Sequence, residues 1–323
     1  MKVTAIVPAF NAERFLKRAV DSLFSTGHED LRVLVIDDGS DDKTYELAKA
    51  LESQFRPHLE AHQHPSGINR GVSASRNLGL AKCSDGLVCF LDADDYVLPH
   101  RFEKALSLLD AQPKVHGVYD ATLVRLERGA ADANSGLGGS EGDGTHFGLA
   151  TAHTGSDLVR QLLTGVPWHP NAFLCRRSMF DTTGVFDERL RIAEDCHLWF
   201  RAAALCNIVP GELEHPVAAY VRHDQNTFTY SIERKLDMVR AMVDAYQCIS
   251  KSASAEIQQV FRQGVIDYVE QSFITAREAN KPEIGWGVAR TCVANGSGTL
   301  LMHDRLVRQI FWLARETLFG RRR

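Results

Sequence analysis

Three stretches of the chain decide its fold: VTAIVPAFN at residues 3–11, LRVLVIDDGSDD at residues 31–42 and LVCFLDADD at residues 87–95. Each begins as a nearly unbroken apolar run and then turns polar. Apolar runs of this kind are typical of strands covered on both faces, as in parallel sheets. Between them, apolar residues recur at helical spacing, for example over 15–24 and 44–51. This alternation predicts an α/β protein with a mostly parallel central sheet flanked by helices.

The rest of the chain changes in composition. Residues 129–148 are rich in Gly, Ala, Ser, Asp and Asn, which predicts a flexible surface loop. Short apolar pieces follow at 171–175 and 217–221, and the pattern then becomes helical over 232–249, 255–276 and 303–319. We therefore predict a catalytic α/β domain over residues 1–227 and a helical C-terminal region over 228–323.

The overall composition excludes several classes of protein. The 323 residues are 44% hydrophobic and 24% charged, with a formal net charge of −4, so no nucleic-acid partner is expected. No run approaches the roughly 18–20 apolar residues of a membrane span. The first residues lack a secretory signal pattern, and the seven cysteines form no C-x-x-C pair. A cytoplasmic location with reduced thiols is therefore expected.

Acidic side chains follow the second and third of these strands. Asp37 and Asp38 end the second run, and Asp92, Asp94 and Asp95 end the third. Carboxyl ends of parallel strands bind ligands, and carboxylates gathered there repel one another unless a cation lies among them. Mg²⁺ or Mn²⁺, bound through a few carboxylates and substrate phosphates, satisfies that requirement. The alternative is an ordinary solvated turn. The chain has neither a G-x-G-x-x-G nor a P-loop motif.

Four motifs in this order resemble the family 2 glycosyltransferases: IVPAFN (6–11), VIDDGS (35–40), GVSASRN (71–77) and FLDADD (90–95). A later Glu194-Asp195 pair extends the similarity to about residue 225. The resemblance implies a GT-A fold and transfer of a sugar from a nucleotide donor with inversion at the anomeric carbon. The helical C-terminal region lies outside it.

The resemblance also implies roles for individual residues on the donor side. Pro8, Phe10 and Asn11 would contact the nucleotide. Asp38 would hydrogen-bond the uracil ring, with Asp37 supporting it. The remaining residues expected on the donor side are Arg76 at the base and ribose, Asp92 at the ribose hydroxyls, and Asp94 at the metal.

The later part of the chain would supply the catalytic acid pair and a second metal ligand. Asp195 resembles the general base, with Glu194 supporting it or binding acceptor; the alternative for Asp195 is a helix-capping acid. Arg222 and His223 match a late position that contacts diphosphate and metal, against the alternative of a surface histidine. Trp168 could stack on an acceptor sugar or lie in the core.

The last helical segment, 303–323, combines an apolar stripe with six arginines. It is typical of a helix that lies on an anionic membrane surface. Alternatively the stripe packs on the protein or on a second copy of the chain, as in a homo-oligomer.

The sequence thus predicts a metal-dependent inverting glycosyltransferase that uses Mn²⁺ or Mg²⁺ and a nucleotide sugar, with UDP as the expected nucleotide. The acceptor would be a carbohydrate or a lipid-linked sugar, in surface polysaccharide or glycolipid assembly on the inner face of the cell membrane. The rivals are a nucleotidyltransferase and a nucleotide-sugar-binding module without turnover. The former would need a basic Gly-rich loop after the first strand, which the chain lacks.

Overall fold

The computed structural model describes residues 1–127, 144–149, 151–165, 167–224, 234–294 and 297–319. The strands are β1 Val3–Ala9, β2 Leu31–Asp37, β3 Leu59–Gln63, β4 Leu87–Phe90, β5 Tyr96–Val97, β6 Gly117–Tyr119, β7 Thr122–Leu126, β8 His146–Phe147, β9 Phe173–Arg176, β10 Ile208–Pro210 and β11 Ala218–Arg222. The helices are α1 Leu16–Phe24, α2 Thr44–Gln54, α3 Val72–Ala81, α4 Glu103–Ala111, α5 Gly155–Thr164, α6 Met179–Thr183, α7 Glu194–Leu205, α8 Arg234–Ser252, α9 Ala255–Glu278, α10 Pro282–Ala294 and α11 Asp304–Phe319.

The main sheet has seven strands in the order β10-β6-β9-β4-β1-β2-β3. Only β9 runs antiparallel to its neighbours, so the predicted mostly parallel sheet with flanking helices is confirmed. β1 is buried along its whole length, as its unbroken apolar run predicts. β4, β1 and β2 are adjacent and parallel, so the polar residues that follow these strands emerge at one edge.

A second, four-stranded sheet in the order β5-β11-β7-β8 was not predicted. β11 pairs in parallel with β7 and antiparallel with β5, which follows directly on the acidic motif of 92–95. The predicted flexible loop 129–148 needs a partial correction, because His146–Phe147 forms strand β8 against β7. Most of that loop lies outside the described residues. The domain boundary at 227/228 also falls outside them and stays a prediction.

The C-terminal helices pack on the α/β part through one continuous hydrophobic core. Phe200 of α7 meets Phe261 of α9 edge-to-face, with ring centroids 5.5 Å apart. The three predicted helices are present as α8, α9 and α11. α10 was missed, because glycines at 285 and 287 lower its helix propensity. A Cβ at Gly285 would lie 2.6 Å from the Leu313 side chain, so this glycine permits close helix packing.

The last helix packs part of its apolar stripe on the protein: Leu306 and Leu313 are fully buried. Arg305 forms ion pairs with Asp267 and Glu270 of α9. Phe311, in contrast, is 71% exposed. Among the described residues, no helix is both long and apolar enough to span a bilayer.

Candidate active site

The loops that follow β1 and β2 are tied together by hydrogen bonds. The Asn11 side-chain oxygen accepts a hydrogen bond from the Asp41 backbone amide at 2.9 Å. The Asn11 backbone amide donates to the Ser40 hydroxyl, also at 2.9 Å. Gly39 has a φ of +75°, and a Cβ there would lie 2.6 Å from the carbonyl oxygen of Gly67. Only glycine fits this position, which brings the 65–71 segment against the end of β2.

Asp38 shapes the segment that leads into α3. Its two carboxylate oxygens accept from the backbone amides of Arg70 and Gly71, each at 2.8 Å. The buried imidazole of His64 lies 3.4 Å from the same carboxylate. Asp37 is fully buried, and its Oδ2 accepts from the Gly39 and Ser40 amides in the turn. Both acids therefore order the backbone next to the cavity.

Arg76, on α3, links the acidic motif after β4 to the start of α7. Its guanidinium donates to Asp92 Oδ1 and to Glu194 Oε1, at 2.8 Å each, and its side chain is only 3% exposed. Burial opposes the charge on Asp92, but Arg76 and His169 outweigh it, and the pKa of Asp92 lies below its ordinary value. Burial, reinforced by the Asp195 charge, raises the pKa of Glu194 to about 7. Arg76 is thus an internal counter-ion.

Glu194 and Asp195 occupy the first turn of α7, where the helix dipole favours negative charge. The helix starts after Ala193, whose φ of +62° is unusual for a residue with a side chain. Such a conformation costs roughly 1–3 kcal/mol and persists only where surrounding packing imposes it. Asp195 Oδ1 accepts from the Cys196 amide at 2.6 Å. Asp195 is therefore the second residue of the helix rather than its N-cap, which is Ala193 without a side-chain capping bond, and Asp195 also lines the cavity.

Asp94 and His223 are brought together from the two sheets. Asp94 Oδ2 lies 3.1 Å from His223 Nε2, and the imidazole stacks on Phe15 with centroids 4.4 Å apart. The backbone carbonyl of Asp94 accepts from Arg18 of α1 at 2.6 Å. An octahedral Mg²⁺ or Mn²⁺ with ligands at about 2.1 Å sets adjacent ligand atoms about 3.0 Å apart. The 3.1 Å spacing fits such an ion, and the mixed oxygen–nitrogen donor set suits Mn²⁺ better than Mg²⁺, which prefers oxygen ligands.

A second group of donor atoms lies nearby: one atom each from Asp92, Asp95 and His169 falls within 4.8 Å of the others. Asp95 is 1% exposed and accepts from Asn171 Nδ2 at 3.0 Å and from the Val221 amide at 2.9 Å. Burial and the neighbouring acids raise the pKa of Asp95 well above its usual range. Since its oxygens hold the second sheet in place, this group suits a metal less well than Asp94 and His223.

One cavity of about 790 Å³ joins these features. The predicted residues that line it are Pro8, Phe10, Asn11, Asp38, Arg76, Asp92, Asp94, Glu194, Asp195 and His223. Asp37 and Arg222 are not among its lining residues. The structure therefore brings the acids of the β4 loop and of α7 into a shared cleft. The roles of the individual residues stay predictions.

One wall of this cleft, formed by the C-terminal helices, could not be predicted from the sequence. Lys235 and Met238 of α8 and Tyr268 of α9 line it, although the C-terminal helices lie outside the motifs. No periodicity or spacing points to them, because only the packing of α8 against α7 brings them near the cavity. Trp168 borders the cavity but is only 1% exposed. Its ring stacks on Tyr119 and on Phe173, with centroids 5.1 and 5.2 Å apart, so it is a core residue with no face for a sugar.

Comparison with solved structures gives the same architecture. Staphylococcus aureus TarS 1–349 in complex with UDP superposes with a TM-score of 0.63 at 17% identity, covering 99% of this chain and 92% of that one. A mannosyltransferase from Pyrobaculum calidifontis, solved with GDP-Man and Mn²⁺, gives a TM-score of 0.53 at 14% identity over 99% and 88% of the two chains. At these identities the likeness establishes the fold, and the predicted GT-A architecture is confirmed.

Sequence relatives are glycosyltransferases. An uncharacterised glycosyltransferase of Nostoc sp. is 29% identical over 128 residues, 38% of each chain. Another, from Haemophilus influenzae, is 25% identical over 245 residues, 72% of each chain. GlyA of Streptococcus pneumoniae is 34% identical over 30% of this chain, which corresponds to only 13% of its own length. The matches with the Nostoc and Streptococcus proteins thus span less than half of those proteins.

The family model for glycosyl transferase family 2 matches residues 4–179, more than half of the chain. The matched segment contains all four motifs from IVPAFN to FLDADD, and their side chains converge on the cleft described above. The prediction of a glycosyltransferase is therefore confirmed at the level of the family: the chain belongs to glycosyltransferase family 2.

Proposed function

We propose that the protein is a metal-dependent inverting glycosyltransferase that moves a sugar from a nucleotide donor, UDP-linked in the first instance, to a hydroxyl acceptor. The observation that carries this proposal is the shared cleft. It holds a donor pair suited to a divalent cation, Asp94 with His223, and a separate carboxylate, Asp195, at the start of α7.

On the donor side, we assign the loops after β1 and β2 to the nucleotide. Phe10 is 48% exposed at the cavity, an uncommon setting for an aromatic ring unless it has a ligand to cover. Asp38 also lines the cavity, and its carboxylate accepts a hydrogen bond from the backbone amide of Arg70 in the neighbouring segment. Asp94 and His223 would hold Mn²⁺ or Mg²⁺, which neutralises charge on the departing diphosphate.

On the acceptor side, Asp195 is proposed as the general base. The acceptor oxygen attacks the anomeric carbon, the bond from that carbon to the diphosphate breaks, and the hydroxyl proton passes to the Asp195 carboxylate. One in-line displacement inverts the anomeric centre and requires no protein nucleophile. A positioned base contributes about 10²–10⁴-fold to the rate. Glu194 and Arg76 hold the start of α7 in place behind this carboxylate.

The acceptor is proposed to be a carbohydrate or a lipid-linked sugar, with the protein docked on an anionic membrane through residues 303–323. Support comes from the exposed Phe311 and Met302, at 71% and 76% exposure. Flotation with phosphatidylglycerol vesicles tests the docking. Phe311→Glu should abolish co-flotation, whereas retained co-flotation of this variant contradicts it.

The activity is tested by incubating the protein with Mn²⁺ and UDP-glucose, UDP-galactose, UDP-N-acetylglucosamine or GDP-mannose, and measuring release of the nucleoside diphosphate. Release from one donor, lost in Asp195→Asn, supports the proposal. Tight donor binding with no release, whatever the acceptor supplied, would favour a binding module. Release of pyrophosphate from a nucleoside triphosphate would favour a nucleotidyltransferase.

A further inference from the structure

The cleft contains two cations that its own acids do not neutralise. Among the residues that the structure describes, three basic side chains other than histidine line it: Arg76, Arg191 and Lys235. The charge of Arg76 is neutralised by its ion pairs with Asp92 and Glu194. Within the described part of the chain, Arg191 and Lys235 form no ion pair, and the Lys235 Nζ donates a 2.9 Å hydrogen bond to the Thr275 hydroxyl.

The position of Lys235 disfavours its charged form. It is partly buried at the start of α8, and this burial lowers its pKa, with only the more distant charge of Glu278 opposing the shift. A partly desolvated ammonium that lacks a carboxylate partner is stabilised when an anion reaches it. Arg191 supplies a second cation from the exposed loop just before Glu194.

We assign these two cations to the acceptor side of the cleft, on the basis of the proposed role of Asp195. Arg191 shares its loop with the start of α7, which carries Asp195, and Lys235 lies on α8, which packs against α7. The proposed metal pair lies elsewhere, on the β4 loop and after β11. A donor diphosphate held by that pair therefore leaves Arg191 and Lys235 available for a different anion. Tyr268 of α9 completes the wall with an aromatic ring typical of sugar-contacting surfaces.

We propose that Arg191 and Lys235 form an anion subsite for the acceptor, so that the acceptor sugar or its neighbour carries a phosphate or carboxylate group. This rests on the proposed function and narrows its substrate class. Guanidinium and ammonium groups both bind oxyanions strongly, Arg as a planar fork and Lys as a point charge. Both residues lie beyond the segment matched by the family model, residues 4–179.

The test uses the full chain saturated with UDP and Mn²⁺, so that probes cannot enter the donor site. Binding of glucose 6-phosphate, methyl glucuronide and neutral methyl glucoside is followed by saturation-transfer NMR and calorimetry. We expect at least one anionic probe to bind at least tenfold more tightly than the neutral one. Arg191→Gln and Lys235→Met should each reduce that affinity at least fivefold and leave UDP affinity unchanged. Which anionic probe binds distinguishes phosphate from carboxylate as the acceptor's group.

Arg189→Gln is the matched control. Arg189 lies two positions from Arg191 but is engaged by Asp187 and Asp244 and does not line the cavity, so its loss should not affect probe binding. Equal affinity for the anionic and neutral probes, or anion binding unchanged in both cleft variants, would overturn the subsite. Failure of the wild-type chain to bind UDP would instead overturn the proposed function.

Discussion

Replacing Arg76 by Met tests whether this residue is the internal counter-ion of the cleft. The change keeps most of the side-chain volume but removes both 2.8 Å charge-assisted hydrogen bonds, to Asp92 and Glu194. Removing one partner of a buried ion pair costs about 3–5 kcal/mol, because a charge is left uncompensated. We expect a loss of that size in the free energy of unfolding at pH 8.

The loss should depend on pH, and its direction follows from Glu194. In the folded wild type its pKa is about 7, above the ordinary 4.5. An acid with a raised folded pKa contributes stability that is fully present below pH 4.5 and is lost as pH rises through 7. Without Arg76 the folded pKa of Glu194 rises further, so the variant goes on losing stability above pH 7. The difference from wild type should therefore be larger at pH 8 than at pH 6.

The assay is urea denaturation followed by far-UV circular dichroism at both pH values. Arg189→Met is the control, because the Arg189 side chain is 72% exposed, so that solvent screens its ion pairs with Asp187 and Asp244 and they should contribute less than about 1 kcal/mol. Combining Arg76→Met with Glu194→Gln should remove most of the pH dependence. A loss below about 1 kcal/mol at pH 8, or a larger loss at pH 6, would refute the counter-ion role.

Three further predictions address the base, the nucleotide loop and the core. Asp195→Asn should bind UDP normally by calorimetry but transfer sugar about 10²–10⁴-fold more slowly; near-normal transfer would leave Asp195 as an acid that only stabilises the first turn of α7. Gly39→Ala should lower both UDP affinity and the thermal midpoint, because its Cβ would lie 2.6 Å from backbone, whereas Gly27→Ala, with nothing within 4 Å, incurs only the positive-φ cost; equal effects contradict this. Arg101→Met should cost about 3–5 kcal/mol in urea unfolding, since it leaves the fully buried Asp120 without its partner 3.1 Å away, and a loss under 1 kcal/mol would contradict it.

The sequence predicted the site best where acidic residues directly follow a buried strand. The acids after β2 and β4 could be placed at one edge because parallel strands end together, and the sheet order β4-β1-β2 brings them there. Their closest partners could not be predicted. The spacing of the motifs does not indicate that Asp95 accepts a hydrogen bond from the Val221 amide of β11. Nor does it indicate that the Arg76 guanidinium donates to two carboxylates, those of Asp92 and Glu194.

The same limit explains the elements that were missed. β8 is a two-residue strand whose pairing to β7 is set by tertiary contact rather than by alternation of its own residues. α10 contains two glycines that lower helix propensity, so the local sequence does not indicate a helix there. In the structure, Gly285 lets α10 pack closely against Leu313 of α11. The C-terminal lining of the cleft depends on how α8 lies against α7, which local sequence does not encode.

Asp94 and His223 are proposed to hold a divalent cation beside a nucleoside diphosphate. Electron paramagnetic resonance of Mn²⁺ tests it directly, because bound and hexaaquo Mn²⁺ give different signals. Adding UDP to wild-type protein and Mn²⁺ should convert the free signal to the bound form, and the conversion should be lost in Asp94→Ala and strongly weakened in His223→Ala. Full conversion in both variants, or none in the wild type, would show that Asp94 and His223 do not hold the cation.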